Sequence, residues 1–203
     1  MKQVALPEAM LMNLFPFSGM AALIYQICWQ RLLFNAFGVD IESITIIVSA
    51  FMLGLGVGAL FGGLLADRFP TRILLMFLFA EATIGILGIF SPEIIDWAGE
   101  RYVRAAPLEI AAVNFSLLLA PTCLMGATLP LLVTYLQRSV RHVGISVGGL
   151  YFANTLGASI GSFLVGFLLF HVLTIEQTIY LAACINFLIA AVVGINLRHG
   201  ASA

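Results

Sequence analysis

Apolar residues run through this chain in six long blocks, separated by short stretches where charge, proline and glycine gather. A helix needs about 20 mostly apolar residues to cross a bilayer. The blocks meet that length over residues 12–37, 43–65, 72–90, 108–136, 145–172 and 176–197. The predicted fold is an all-α integral membrane protein, with residues 1–203 forming one six-helix domain. The fourth block holds Pro121 and Pro130, which predicts a kink or a break there. The first block is too long for a cleaved signal peptide, and Gln26, Gln30 and Arg31 interrupt it.

Glycine patterns the second block. Ala50, Gly54, Gly58, Gly62 and Ala66 recur every four residues, which on a helix is one continuous face. A dinucleotide loop needs G-x-G-x-x-G, and a P-loop needs a Lys next to Ser or Thr. Neither frame fits, because Ala59 and Phe61 stand where glycines would be required. In lipid, a stripe of small residues lets a second backbone come close. The fifth block repeats the device with Gly149, Ala153, Gly157 and Gly161. Two readings of this pairing stand. One is a 3+3 inverted repeat, with spans one to three matched by four to six in opposite topology. The other is two helices that pack tightly for separate reasons. The stripes could face a second copy or a helix of the same chain.

The connecting stretches set the expected orientation. Lys2, Arg68, Arg72, Arg138, Arg141 and Arg198 fall on one side, against Arg101 and Arg104 on the other. Positive charge marks the cytoplasmic side, so both termini are expected in the cytoplasm. The stretch "SPEIIDWAGERYVRAAP" mixes apolar residues with charge, which suits a short helix in the outer interface or a soluble loop helix.

Composition agrees with a lipid solvent. Of 203 residues, 62% are hydrophobic and 9% charged, against about 25% charged in soluble domains. The net charge of -1 gives no basis for binding nucleic acid. Cys28, Cys123 and Cys184 are scattered through apolar runs and suggest neither a disulfide framework nor a zinc site.

The second block ends in "GLLADRFPTR", with Gly63, Asp67, Arg68 and Arg72 between the second and third spans. This resembles the signature loop of the major facilitator superfamily, with Pro70 replacing a later glycine. The resemblance implies that Asp67 latches one conformation by accepting hydrogen bonds from a helix end or an arginine. The plainer reading is a capping Asp beside ordinary positive-inside arginines. "SGMAALIYQICWQRLL", "LMGATLPLLV" and "GLYFANTLGASIGSFLVGFLL" occur in the same order as in a narrower group. They resemble the membrane domain of bacterial proteins that fuse a facilitator-like segment to a spermidine-synthase-like domain. That domain resembles half a facilitator. The group usually has a Glu where this chain has Gln26. The synthase-like domain, which would bind decarboxylated S-adenosylmethionine, has no counterpart in these residues.

Polar groups in hydrocarbon are costly, so each needs a partner or a role. Gln26, Glu81, Asn154 and Asn186 all count to the middle of their spans, at about 1.5 Å per residue. They are expected to form a polar layer of the kind that binds substrates and coupling ions. Glu81 is a candidate proton carrier or a carboxyl hydrogen-bonded to a neighbouring helix. Arg31 could shape an outer vestibule with Trp29 or could snorkel to the headgroups. Asn154 and Thr155 could hydrogen-bond across a tight interface. His142, His171 and His199 have no metal-ligand spacing, and no catalytic constellation is readable.

These residues lead to two expectations. The first is a secondary transporter or transport module for a small polar or cationic, polyamine-like solute, built as a homodimer. The second is a membrane anchor or scaffold for a soluble enzyme or a larger complex. In neither is the chain itself expected to be an enzyme or to carry a cofactor or a metal.

Overall fold

The computed structural model describes residues 8–38, 41–102, 104–137 and 143–201. Lys2, Arg138, Arg141 and His142, used above for orientation and ligand spacing, lie outside them. Six long helices form the chain: α1 Glu8–Phe37, α2 Ile41–Arg68, α3 Ile73–Tyr102, α4 Pro107–Leu136, α5 Val143–Leu164 and α6 Ile175–Ala201. A 3-10 turn, Pro70–Arg72, leads into α3. A π turn, Val165–Leu169, and a last α turn, Phe170–Val172, carry α5 onward. All six spans are long and apolar enough to cross a membrane, and no strand occurs among the described residues.

Local sequence explains the helix ends. Gly38 has φ +98°, and its N–H bonds the Phe34 carbonyl at 2.9 Å, the left-handed cap that glycine adopts without strain. Pro107 opens α4 at a position where no N–H is needed. The Thr174 hydroxyl accepts from the Gln177 N–H at 3.1 Å, and the Gln177 carbonyl oxygen accepts from the Thr174 N–H at 3.0 Å. This is a reciprocal capping box at the start of α6.

The helices differ in how they are buried. α3 packs on α1, α4 and α6, and α1 packs on α6, while α2 lies mainly on α4 and α5 mainly on α1. One apolar cluster gathers Tyr25, Trp29, Phe51 and Ile84, and a second gathers Phe15, Phe77, Leu132 and Leu150. The outer faces of α2 and α5 keep large apolar side chains exposed, such as Met52, Phe61, Phe152 and Phe167. In water this would be a large unpaired patch. In a bilayer it is the face that lipid tails cover.

The small-residue stripes lie inside the chain. A Cβ added at Gly54 would meet Thr122, one at Gly58 the Cys123 backbone, and one at Gly62 Ala127, all on α4. From the other side, a Cβ on Gly126 would meet the Leu55 backbone. On α5, Gly149 faces Met12, Gly157 the Pro16 carbonyl and Gly161 Met20, all on α1. At Gly58, Gly62, Gly126, Gly157 and Gly161 glycine is required because a second backbone nearly touches it. These faces are therefore already used within one chain and do not serve as contacts between copies.

Two expectations about the helices are corrected. As far as Tyr102, the stretch after residue 90 is neither a separate interfacial helix nor a soluble loop helix. α3 continues through it to Tyr102. Ile95, Ala98 and Gly99 are buried, and Gly99 stands against Ala36 near the end of α1, so packing extends the helix. Of the kink or break expected in α4, the break does not occur at Pro121 or Pro130, because the helix runs on for 30 residues.

Candidate functional site

α1, α3 and α6 meet at one buried carboxyl group. Glu81 on α3 is fully buried. The Ser18 hydroxyl on α1 donates to Glu81 Oε1 at 2.6 Å. The Asn186 amide on α6 donates to Glu81 Oε2 at 2.7 Å. Both partners are themselves buried, and Asn186 Oδ1 has no hydrogen-bond partner. Each carboxyl oxygen thus holds one helix, and the cluster ties three spans together in a dry interior. Chemically it can hold a proton between oxygen atoms, with an unused carbonyl acceptor beside it.

A second polar contact lies ten residues further along α3, about 15 Å up the axis. Pro92 has no N–H, so the Gly88 carbonyl four residues earlier loses its helical donor. The Ser91 hydroxyl fills that gap, donating to Gly88 O at 2.7 Å. Ser91 Oγ in turn accepts from Trp29 Nε1 on α1 at 2.7 Å. This substitute pairing explains how α3 passes a proline without breaking. Tyr25 stacks on Trp29 with ring centroids 4.9 Å apart, and its buried hydroxyl has no partner. Ser91→Ala is expected to cost about 1–2 kcal/mol, because it strands the Trp29 N–H and the Gly88 carbonyl. A chemical or thermal melt in detergent, followed by tryptophan emission, measures the loss.

Trp29 and Ser91 also line a cavity of about 170 Å³ between α1, α3 and α4. Its walls are mostly apolar, and it opens beside Ser116 and Ala120 on an exposed part of α4.

Of the residues expected in a midplane layer, Glu81 and Asn186 come together. Asn154 instead packs on α1, where its backbone carbonyl and side chain lie against Gly19. Gln26 is half-buried on α1, two turns beyond Ser18. Arg31 is exposed, with its guanidinium carbon 4.8 Å from the centre of the Phe170 ring. Gly63 is half-buried at the end of α2, and Asp67, Arg68 and Arg72 are exposed beyond it. The Arg68 guanidinium lies 5.8 Å from the Phe69 ring. Among the described residues, no His, Cys, Asp and Glu group of three or more could hold a metal ion. Sequence reasoning missed Ser18 and Ser91. Serine carries no depth signal of its own, but a Ser directly before an intrahelical Pro could have flagged Ser91.

No protein-family model matches the chain, and no solved structure does. Curated proteins do. The chain is 30% identical to the polyamine aminopropyltransferase of Corynebacterium efficiens over 188 residues, 88% of this chain and 34% of that protein. It is 25% identical to the polyamine aminopropyltransferase of Oceanobacillus iheyensis over 180 residues, 86% of this chain and 33% of that protein. It is 30% identical to the Mycobacterium tuberculosis protein of the same name over 186 residues, 87% and 34% respectively. The expectation that this chain stands apart from enzymes is corrected by those names. A membrane span carries no trace of the reaction it accompanies, so a missing catalytic signature was no guide. Over most of its length this six-span chain is similar, at 25–30% identity, to about a third of each polyamine aminopropyltransferase it matches.

Proposed function

We propose that this chain is the membrane module of a polyamine aminopropyl-transfer system and gives a polyamine-like solute a path through the bilayer. The observation that carries the reading is the similarity of 88% of the chain to a polyamine aminopropyltransferase. Polyamines are multiply cationic, and charges cross hydrocarbon only at a large cost. A membrane segment that accompanies such chemistry has a clear use as a path for the substrate or product. The Glu81 cluster supports this reading, because an intramembrane carboxyl is a ready proton carrier.

The packing also supports an arrangement like half a facilitator. Exchanging each span with the one three places along turns the α2–α4 pair into α5–α1, and α3–α4 into α6–α1. All of these contacts occur, as an inverted repeat requires. In this reading both termini and the Gly63, Asp67, Arg68 and Arg72 loop face the cytoplasm, across a bacterial inner membrane. Two copies side by side supply twelve spans.

Proteoliposomes holding the purified chain test the reading. Labelled 1,4-diaminobutane is expected to accumulate when a proton gradient is imposed. Glu81→Gln is expected to reduce that accumulation to the level of empty liposomes. Unchanged uptake in Glu81→Gln removes the proton-carrier role.

One observation favours a second reading, in which the spans hold the transferase activity at the membrane. Both Glu81 oxygens are already occupied by donors of the same chain, as in a structural knot. Membranes that gain aminopropyl-transfer activity when the chain is expressed, without gaining polyamine uptake, support anchoring over transport.

A further inference from the structure

We propose that the cavity between α1, α3 and α4 binds the ammonium end of an aliphatic amine; the choice of ligand rests on the polyamine reading above. Trp29 lines the cavity, and an indole face attracts a cation. Leu117 and Pro121 line it as well. Pro121 has no N–H, so the Leu117 carbonyl has no helical donor. At Pro92 the equivalent carbonyl is taken by Ser91. At Pro121 the neighbouring hydroxyl, Thr122, donates instead to Leu118 O and Leu119 O. The Leu117 carbonyl is therefore left without its helical donor, on a residue that lines the cavity, in apolar surroundings that strengthen any bond to a cation. The remaining walls suit methylene groups.

Charge at this end of the bundle agrees. Glu93, Asp96, Glu100 and Glu109 are exposed around the α3–α4 junction, against Arg101 and Arg104. Four carboxylates against two arginines draw cations toward this end. Arg31 does not oppose them at the cavity, because it sits over Phe170 of the α5 span.

The test uses the full chain in lipid nanodiscs with Trp97→Phe, which leaves Trp29 as the only remaining tryptophan of two. Titration with 1,4-diaminobutane is expected to change Trp29 emission saturably, and the neutral 1,4-butanediol is not. Pro121→Ala restores an N–H to the Leu117 carbonyl and suits a helix. It is expected to weaken diamine binding about tenfold, the loss of one charge-assisted hydrogen bond. Ala120→Leu narrows the mouth and is expected to weaken binding without touching that carbonyl.

A diamine response absent, equalled by butanediol, or unchanged in both variants overturns the site. Quenching of Trp29 by brominated acyl chains that diamine does not relieve overturns it in favour of a lipid tail. Binding that persists where liposome uptake and membrane aminopropyl transfer both fail leaves the site standing and removes the larger function. Uptake without a Trp29 response does the reverse.

Discussion

Glu81→Ala is expected to lower the stability of the folded bundle by about 2–4 kcal/mol. Two interhelical hydrogen bonds disappear, each worth about 0.6–2 kcal/mol in membrane proteins. The lost side chain also leaves a small void, which adds to the cost. Ser18 and Asn186 are buried, so neither donor can turn to water. Glu81→Gln should behave differently. Its carbonyl can still accept from Ser18, and its amide can donate to Asn186 once that side chain flips. The flip is available because Asn186 Oδ1 has no competing partner. Its cost is therefore expected to stay within about 1 kcal/mol, the size of one altered hydrogen bond. Thermal unfolding in detergent distinguishes the two variants. Equal losses from Ala and Gln would mean that charge, and not the hydrogen-bond set, holds the three helices. A folded Glu81→Gln protein is also what makes the uptake assay informative, since lost transport then cannot be blamed on lost structure. A double-mutant cycle of Ser18→Ala with Asn186→Leu should be non-additive by about 0.5–3 kcal/mol, because both side chains bond the same carboxyl group.

The six spans were legible because lipid imposes a crude rule of length and polarity that each stretch obeys alone. Their ends were less so. α3 runs past residue 90 because Ile95, Ala98 and Gly99 are buried in the bundle, Gly99 against Ala36 of α1, which no window of sequence contains. The same holds for Pro92 and Pro121. A proline announces a lost hydrogen bond, but only the fold shows that Ser91 replaces the first and that Thr122 leaves the second open. Glu81 and Asn186 count to a similar position in their spans, and the fold brings them together. Counting along a helix does not tell which way a side chain points around it, and Asn154 lies against Gly19 of α1 instead. The link to aminopropyl transfer was legible only through family resemblance, since neither spacing nor composition of membrane spans encodes it.

The α2 stripe shows the same limit and supports the sharpest structural prediction. A four-residue period reveals a close-packing face without revealing what lies against it. Gly58→Leu is expected to cost about 3 kcal/mol or more, the upper range for overpacking. Its Cβ alone would meet the Cys123 backbone, which cannot swing away as a side chain can. Gly157→Leu, against the Pro16 carbonyl, should behave alike on the other side of the bundle. Gly56 is two residues from Gly58 but faces outward, with nothing near its Cβ position. Gly56→Leu should therefore fall within about 0.5 kcal/mol of the parent, as surface changes do, and the better helix propensity of leucine favours it slightly. Yield in the membrane fraction and melting in detergent report each variant. If Gly58→Leu melts like the parent, α2 does not lie on α4 through this face. If Gly56→Leu is the damaging change, a second helix covers the outer face, and that helix belongs to another molecule. The pair of substitutions therefore separates packing within one chain from packing between copies.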